Sequence, residues 1–464
     1  MSNSVAVKRW SSNTVFLFAA IGAAVGLGNI WRFPYITGAH GGGAFLILYL
    51  SFVLLLCIPM VAAEMFIGNQ GGKSPISSMR ALIAKRNLNR SWVVIGWSCI
   101  IVSALIFSFY SVVAGWSLDY LYVYLFKYQE LSAVDGDVSK HFADRFDSLL
   151  ASPYRLTFWH TLVVLLTALV IACGVRKGLE KALDVLMPGL FLILIVLIVF
   201  CLFAADFQSA IRFLFTPDFS KITPSVALIA LGQAFFSVAV GGGTMMTYGA
   251  YLPKKAPILK LATIICITDT VVAIFAGLAI FPFVFSFGLD PSEGPGLIFV
   301  TLSLAFTQMP AGQWLGIMFF LLLVIATFTT TFALLEPIVC WLEEKLALAR
   351  PTITAITAGC IWLFGLGQAL SFNIWSDFKP LSFIPLLKDA NLFGITEFTV
   401  SSVMLPLNCL LIALFVGWVY LFNDKAGSPS VVNPLSTRLC CLSLRYPVPI
   451  AIVLVFAVAI YNNI

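Results

Sequence analysis

Long apolar runs separated by short polar stretches repeat along the whole chain. Runs of spanning length fall at roughly 13–38, 42–68, 92–126, 156–173, 182–204, 225–252, 258–287, 312–342, 351–373, 396–422 and 447–463. A helix of that length crosses a hydrocarbon layer and satisfies its own backbone groups while doing so. The pattern predicts an all-α polytopic membrane protein with about eleven transmembrane helices. No second domain interrupts it, so residues 1–464 read as one transmembrane unit. The start, MSNSVAVKRW, is short and polar. The run after it is too long for the apolar core of a cleavable signal.

Composition agrees with the pattern, since 60% of the 464 residues are hydrophobic and only 10% are charged. A soluble surface of this size needs more charge. The charges that remain report orientation. Loop 69–91 carries Lys73, Arg80, Lys85, Arg86 and Arg90, whereas loop 127–155 carries Glu130, Asp135, Asp137, Asp144 and Asp147. The positive-inside rule then places the N-terminus in the cytoplasm. With an odd number of spans the C-terminus is extracytoplasmic, and the expected location is the cell inner (plasma) membrane. The net charge of +6 follows from this topology and gives no reason to expect a nucleic-acid partner. Ten cysteines are scattered, none in a predicted outer loop, so no disulfide framework is expected. Adjacent Cys440 and Cys441 read as unmodified thiols. Residues 423–446 read as a cytosolic loop or short surface helix. His40, His141 and His160 lack metal-ligand spacing and read as structural or solvated.

Four interruptions of the apolar pattern carry chemistry. Asp269 stands inside the run LATIICITDTVVAIFAGLAIFPFVF. An intramembrane carboxylate faces a bundle interior or an ion path, because hydrocarbon cannot solvate it. Satisfaction by hydroxyls such as Thr268 and Ser237 is the plainer alternative. The first span, FLFAAIGAAVGLGNIWRFP, holds Gly22, Gly26 and Gly28 followed by Asn29. Unwinding there frees carbonyls, which suit a small hard cation, and N–H groups, which suit a carboxylate. A helix-packing face at Gly22 and Gly26 is the bland reading. The sixth span contains Gly241, Gly242 and Gly243 in succession, with Gln233 and Ser237 on one helix face ahead of them. The eighth, ATFTTTFALLEP, offers the hydroxyls of Thr329, Thr330 and Thr331. Thr331 reads as bonded back to its own helix. Glu336 reads as paired with a backbone group at the cytosolic end of the bundle. Broken first and sixth spans predict two five-helix repeats of opposite orientation, roughly 10–204 and 225–422, plus an extra helix at about 447–463.

The string WSSNTVFLFAAIGAAVGLGNIWRFPYITGAHGGGAF resembles the first two helices of the neurotransmitter:sodium symporter family. GQAFFSVAVGGG is similar to that family's sixth helix and TFTTTFALLEP to its eighth, in the manner of prokaryotic amino-acid transporters with the leucine-transporter fold. Inverted repeats around broken helices are this family's own architecture, so that expectation also comes with the resemblance. The resemblance implies two sodium sites. One would use the carbonyls of Gly22, Val25 and Ala326 with the hydroxyls of Thr329 and Thr330. The other would use the Ala24 carbonyl, Asn29, Ser237 and Asp269. It further implies that a substrate carboxylate meets the N–H groups of Leu27 and Gly28, beside Gly26, and the hydroxyl of Tyr110. The substrate amino group would meet the carbonyls of Ala24 and Phe236. Ile106, Tyr110, Phe236, Ala239, Gly242, Thr330 and Leu334 would wall the side-chain pocket. Arg32 with Glu397 is expected at the outer gate, and Lys8 or Arg9 with Glu344 at the inner one. The family's basic residue usually stands where this chain has Val7.

Other departures matter too. Gly26 occupies the place where amine-transporting relatives carry an aspartate. Ala273 stands where chloride-independent bacterial members often keep a glutamate. Ala23 replaces a common polar residue. The Gly178–Pro188 spacing resembles the family's unwinding point in the fifth helix, or is an ordinary proline kink. The expected protein is therefore no enzyme. It is a sodium-coupled, chloride-independent symporter for a neutral, bulky hydrophobic or aromatic amino acid, working by alternating access in the bilayer. A bundle of helices 1, 2, 6 and 7 would move against the rest. A non-translocating sensor and a proton-coupled carrier are the rival readings.

Overall fold

The computed structural model describes residues 9–132, 138–289, 296–384, 387–420 and 434–461. Among these, nine helices are long and apolar enough to cross a membrane, and a bent pair makes a tenth span. The pair is α1 (Asn13–Ala24) and α2 (Gly28–Ala39), which meet at 51°. Next come α3 (Gly43–Gly71), the short α4 (Pro75–Arg86) and the central α5 (Arg90–Phe126). After them run α6 (Val138–Ala151), α7 (Pro153–Ala172) and α8 (Val175–Ala204). Then follow α9 (Phe207–Phe215), α10 (Pro224–Ser237) and α11 (Thr244–Ala250). The chain ends with α12 (Ile258–Ser286), α13 (Leu297–Thr307), α14 (Gly312–Lys345), α15 (Arg350–Leu370), α16 (Leu392–Tyr420) and α17 (Ser436–Ala457).

The expected break in the run 225–252 is present: α10 and α11 are joined by non-helical residues 238–243. Its three glycines stop the helix, as glycine does where backbone freedom outweighs helical bonding. One boundary is corrected. The final span starts earlier than 447. Pro434–Arg445 is helical, and Ser443 Oγ donates to Leu55 O. The part of the 423–446 reading that falls on residues 421–433 lies outside the described residues. The fifth span stays wound. It begins with a wide π-helical turn, Val175–Glu180, and carries Pro188 inside a continuous helix.

Packing divides the helices into two groups. In one, α5 and α14 pack most extensively against each other, with α7 and α15 beside them. Polar links reinforce this group. Thr167 and Thr331 hydroxyls lie 2.9 Å apart, and Thr331 also donates to Phe328 O at 2.9 Å, the back-bond expected for it. His160 is fully buried and structural, with Nδ1 3.0 Å from Ser111 Oγ and Nε2 3.2 Å from Trp362 O. In the other group, α3 lies against α11 and α12, and α12 also packs on α1 and α2.

The α3–α11 crossing is a backbone contact. A Cβ at Gly68 would stand 1.8 Å from Met246 O, and one at Gly249 would stand 2.6 Å from Met65 O. Gly68→Ala must therefore push two backbones apart, an overpacking cost of about 3 kcal/mol. Gly359→Ala meets nothing within 4 Å and is expected to be neutral or slightly stabilising. Thermal unfolding of the detergent-purified variants checks the contrast, and equal melting temperatures would refute it.

Candidate functional site

Both helix breaks open onto one cavity of about 40 Å³. At the first break Val25 turns extended (ψ 105°), and α2 restarts three residues later. At the second, Ala239, Gly241 and Gly243 have φ of +53°, +87° and +78°. Ala239 is the one residue with a side chain among these, and the left-handed region costs such a residue roughly 1–2 kcal/mol. Ala24, Gly26, Gly28, Ile106, Tyr110, Phe236, Ala239, Gly242, Thr330 and Leu334 line the cavity, together with Ala23, Thr244, Ala333 and Leu405. All seven expected pocket walls are among them. Thr244, Ala333 and Leu405 were not anticipated, because an apolar or hydroxyl residue in an apolar run carries no signal of its own. No charged side chain lines the cavity.

The polar groups gather at the first break. Tyr110 is buried, and its hydroxyl accepts from Leu27 N at 2.9 Å. Gly26 N donates to Asn29 Oδ1 at 3.2 Å. A Cβ on Gly26 would lie 2.5 Å from Tyr110 Oη and 2.6 Å from Thr330 Oγ1. An aspartate at this position would therefore fill the space between those hydroxyls. Gln233 Nε2 donates to Gly28 O at 2.8 Å, which ties the two broken helices together.

Two clusters of hard oxygen flank the cavity. In the first, Asn29 Nδ2 reaches Asp269 Oδ1 at 2.8 Å, Asp269 O at 3.0 Å and Ser237 Oγ at 3.0 Å. Ser237 Oγ donates to Asp269 Oδ2 at 2.8 Å, and Tyr49 Oη donates to Ser237 Oγ at 3.1 Å. Asp269 is fully buried and forms no ion pair with Lys or Arg among the described residues. A buried carboxylate without a countercharge is a strong ligand for a cation. In the second cluster, Thr329 Oγ1 donates to Ala326 O at 3.0 Å. Thr330 Oγ1 lies 3.1 Å from Ala326 O and 3.5 Å from Val25 O. A Cβ at Gly22 would lie 2.8 Å from Met187 Sδ and 3.2 Å from Thr329 Cβ, so Gly22 lets α1 pack closely beside Thr329. These are oxygen donors of the type alkali and alkaline-earth cations prefer.

The sequence reading missed Glu64. It is fully buried on α3 and accepts a hydrogen bond from Gly241 N, so it caps the exposed backbone of the second break. An acid in the run LLLCIPMVAAEMFIG is the signal that finds it.

The gate pairings differ from expectation. The Arg32 guanidinium stacks over the Phe236 ring, 4.5 Å from its centroid, and forms no ion pair with Glu397 among the described residues. Arg32 also hydrogen-bonds Tyr35. At the end of the fold that carries the N-terminus, Lys8 lies outside the described residues. Arg9 does not pair with Glu344. Glu344 instead accepts from Ser74 N and Ser74 Oγ, both at 2.7 Å, at the N-terminus of α4, where a carboxylate is favoured. Trp10 lies at this end, 7% exposed and stacked edge-on against Tyr248 and Tyr251. Its Nε1 donates to Tyr248 O at 3.1 Å. Glu336 is held by side chains rather than by backbone. It accepts from Tyr251 Oη at 2.8 Å and pairs with Arg350, which also reaches Glu343 at 2.8 Å.

Comparison with known proteins gives this geometry a relation. The profile of the sodium:neurotransmitter symporter family matches residues 7–133 and 142–463. The chain is 34% identical to the uncharacterized sodium-dependent transporter YhdH of Bacillus subtilis, covering 97% of this chain and 96% of that one. It is 30% identical to an uncharacterized sodium-dependent transporter of Haemophilus influenzae, covering 98% of each. The crystal structure of MhsT in complex with L-phenylalanine matches with a TM-score of 0.84 at 37% identity, over 97% of this chain and 99% of that one. The expected architecture holds: the protein is all-helical and multi-pass, with its first span broken. On a match that runs almost from end to end, the chain belongs to the sodium:neurotransmitter symporter family and is a membrane transporter, not an enzyme.

Proposed function

We propose that the protein couples inward sodium movement to uptake of a neutral amino acid with a bulky hydrophobic or aromatic side chain, by alternating access and without chloride. The observation that carries this reading is the character of the cavity. Its polar rim, at Gly26, Gly28 and Tyr110, suits an α-carboxylate. Apart from the hydroxyls of Thr330 and Thr244, the latter already donating to Ala333 O at 3.1 Å, the rest of its wall is alanine, glycine, isoleucine, leucine and phenylalanine. The solved relative with bound L-phenylalanine supports the same class of ligand.

Two sodium ions are assigned to the two oxygen clusters. Ala24 O, Asn29, Ser237 and Asp269 would hold one, beside the substrate. Gly22, Val25, Ala326, Thr329 and Thr330 would hold the other, between α1 and α14. Each joins one helix group to the other or to the substrate, so binding favours the assembled site. Asp269 supplies the fixed negative charge that chloride supplies in chloride-dependent relatives. Arg32 on Phe236 is the outer closure and Trp10 the inner one. The membrane is the plasma membrane, with the N-terminus cytoplasmic and the C-terminus outside.

A thermal-shift or scintillation-proximity screen of the twenty amino acids, in sodium against potassium, tests the reading. Aromatic and branched aliphatic amino acids are expected to bind in sodium alone. Tyramine and tryptamine are expected to fail, because the Gly28 N–H would lose a carboxylate partner, at about 1–3 kcal/mol, and the Leu27 N–H would keep only Tyr110 Oη. Gly242→Phe should move preference toward smaller substrates, since a Cβ there meets only Ala239 O, at 3.8 Å. Glycine as the best wild-type ligand, or amines competing as well as amino acids, would overturn the proposal. Binding without uptake into proteoliposomes would favour a sensor.

A further inference from the structure

Residues 239–243 give the cavity a wall made largely of backbone, and that backbone has few hydrogen bonds of its own. Ala239 N reaches Phe236 O at 3.2 Å and Val240 N reaches Phe235 O at 3.3 Å. The glycines beyond them have no side chains with which to anchor themselves. Side chains of neighbouring helices hold them instead. Ser103 Oγ of α5 donates to Gly242 O at 2.8 Å. Asn408 Nδ2 of α16 donates to Gly241 O at 2.8 Å, with Cys99 Sγ of α5 at 3.6 Å from the same carbonyl. Ser103 and Asn408 are fully buried, and neither lines the cavity.

The Asn408 amide carries a cost. Its Oδ1 is buried without a hydrogen-bond partner. A leucine of similar size would fill the same space with no polar atom left unpaired. The amide is therefore poor as a packing element and good as an anchor for the Gly241 carbonyl.

We propose that Ser103 and Asn408 are positioning residues that determine specificity. By holding the carbonyls of Gly242 and Gly241 they fix the glycine linker as a rigid wall, and so set the side-chain size the cavity accepts. The inference rests on the functional reading above. A rigid wall discriminates by size, since a small ligand leaves a void and a large one clashes. A released glycine linker follows its ligand, because glycine has wide backbone freedom. Loosening the anchors should then flatten the preference among substrates rather than weaken all of them alike.

The test uses the full-length purified protein in sodium, with Kd measured for alanine, valine, leucine and phenylalanine. The readout is the ratio of the alanine Kd to the phenylalanine Kd. Ser103→Ala and Asn408→Leu are each expected to lower that ratio about fivefold to tenfold, the scale of one lost hydrogen bond. Ser103→Thr keeps the hydroxyl and should retain the wild-type ratio. Ratios within twofold of wild type in both Ser103→Ala and Asn408→Leu would overturn the proposal, whatever happens to thermal stability. If Asn408→Leu does not fold, Ser103→Ala against Ser103→Thr decides alone. A wild type that binds none of the four would overturn the functional reading, and the anchors' role with it. Failure of the anchors alone looks different, because the wild type then selects and the variants select identically.

Discussion

Replacing Asp269 with asparagine is expected to cut sodium-driven uptake in chloride-free buffer by about a hundredfold or more. The carboxylate is fully buried, accepts hydrogen bonds from Asn29 and Ser237, and has no basic partner among the described residues. On the proposed assignment sodium is its countercharge. Removing one member of a buried charge pair costs about 3–5 kcal/mol, and each 1.4 kcal/mol is about tenfold. Wild-type uptake should be the same in chloride and in gluconate, and chloride should partly rescue the asparagine variant. The pH dependence has a definite sign. On the proposed assignment a proton would replace sodium at this carboxylate in the empty carrier and move outward with the return step. External acid then competes with sodium and lowers uptake, whereas internal acid speeds the return. The variant has no group to protonate at this place, so its pH profile should be flat. Wild-type uptake that collapses in gluconate would defeat the chloride claim. An unchanged pH profile in the variant would defeat the proton claim.

Valine at Thr329 or Thr330 is expected to raise the sodium concentration for half-maximal uptake about tenfold to a hundredfold. The substitution keeps the shape and deletes one hard oxygen from the cluster with Ala326 O and Val25 O. An interaction of an oxygen with a charged group is worth about 1.5–3 kcal/mol. Thr331→Val is the internal control. That hydroxyl serves Phe328 O and Thr167 and has no place in the cluster, so its loss should lower thermal stability without altering the sodium curve. Uptake into proteoliposomes against sodium concentration separates the two. A purely back-bonded role for Thr329 and Thr330 predicts the same curve for all three variants.

Much of the site was legible because polar residues and glycines are expensive in apolar spans. Asp269, the Gly26–Gly28 break, Asn29 and the Thr329–Thr330 pair all stand out against hydrocarbon-compatible neighbours, and the structure brings them to one place. The second break was legible for the same reason, since Gly241, Gly242 and Gly243 stand in succession inside an apolar run and the helix stops just before them. The limits are equally physical. Glu64 escaped attention because it stands four residues inside the predicted end of span 42–68, where an acid reads as interfacial. Leu405 and Ala333 line the cavity yet differ in no local way from residues that face lipid. The ion partners at the gates depend on long side chains whose reach sequence cannot aim. Arg32 lies over an aromatic ring and Glu344 caps a helix, and neither arrangement has a spacing rule.

Ala239 has a consequence for how this chain can change over evolutionary time. Its neighbours in the linker at left-handed torsions are glycines, so it alone carries a methyl group in a conformation that disfavours one. Ala239 is among the residues that line the cavity. Mutation to glycine would relieve backbone tension and enlarge the chamber in one step, whereas nearly every other route to a larger chamber sacrifices packing. A lineage under pressure to take up a new nutrient therefore has one inexpensive mutational door, at residue 239, and its first passage through that door should broaden the diet before later changes narrow it again.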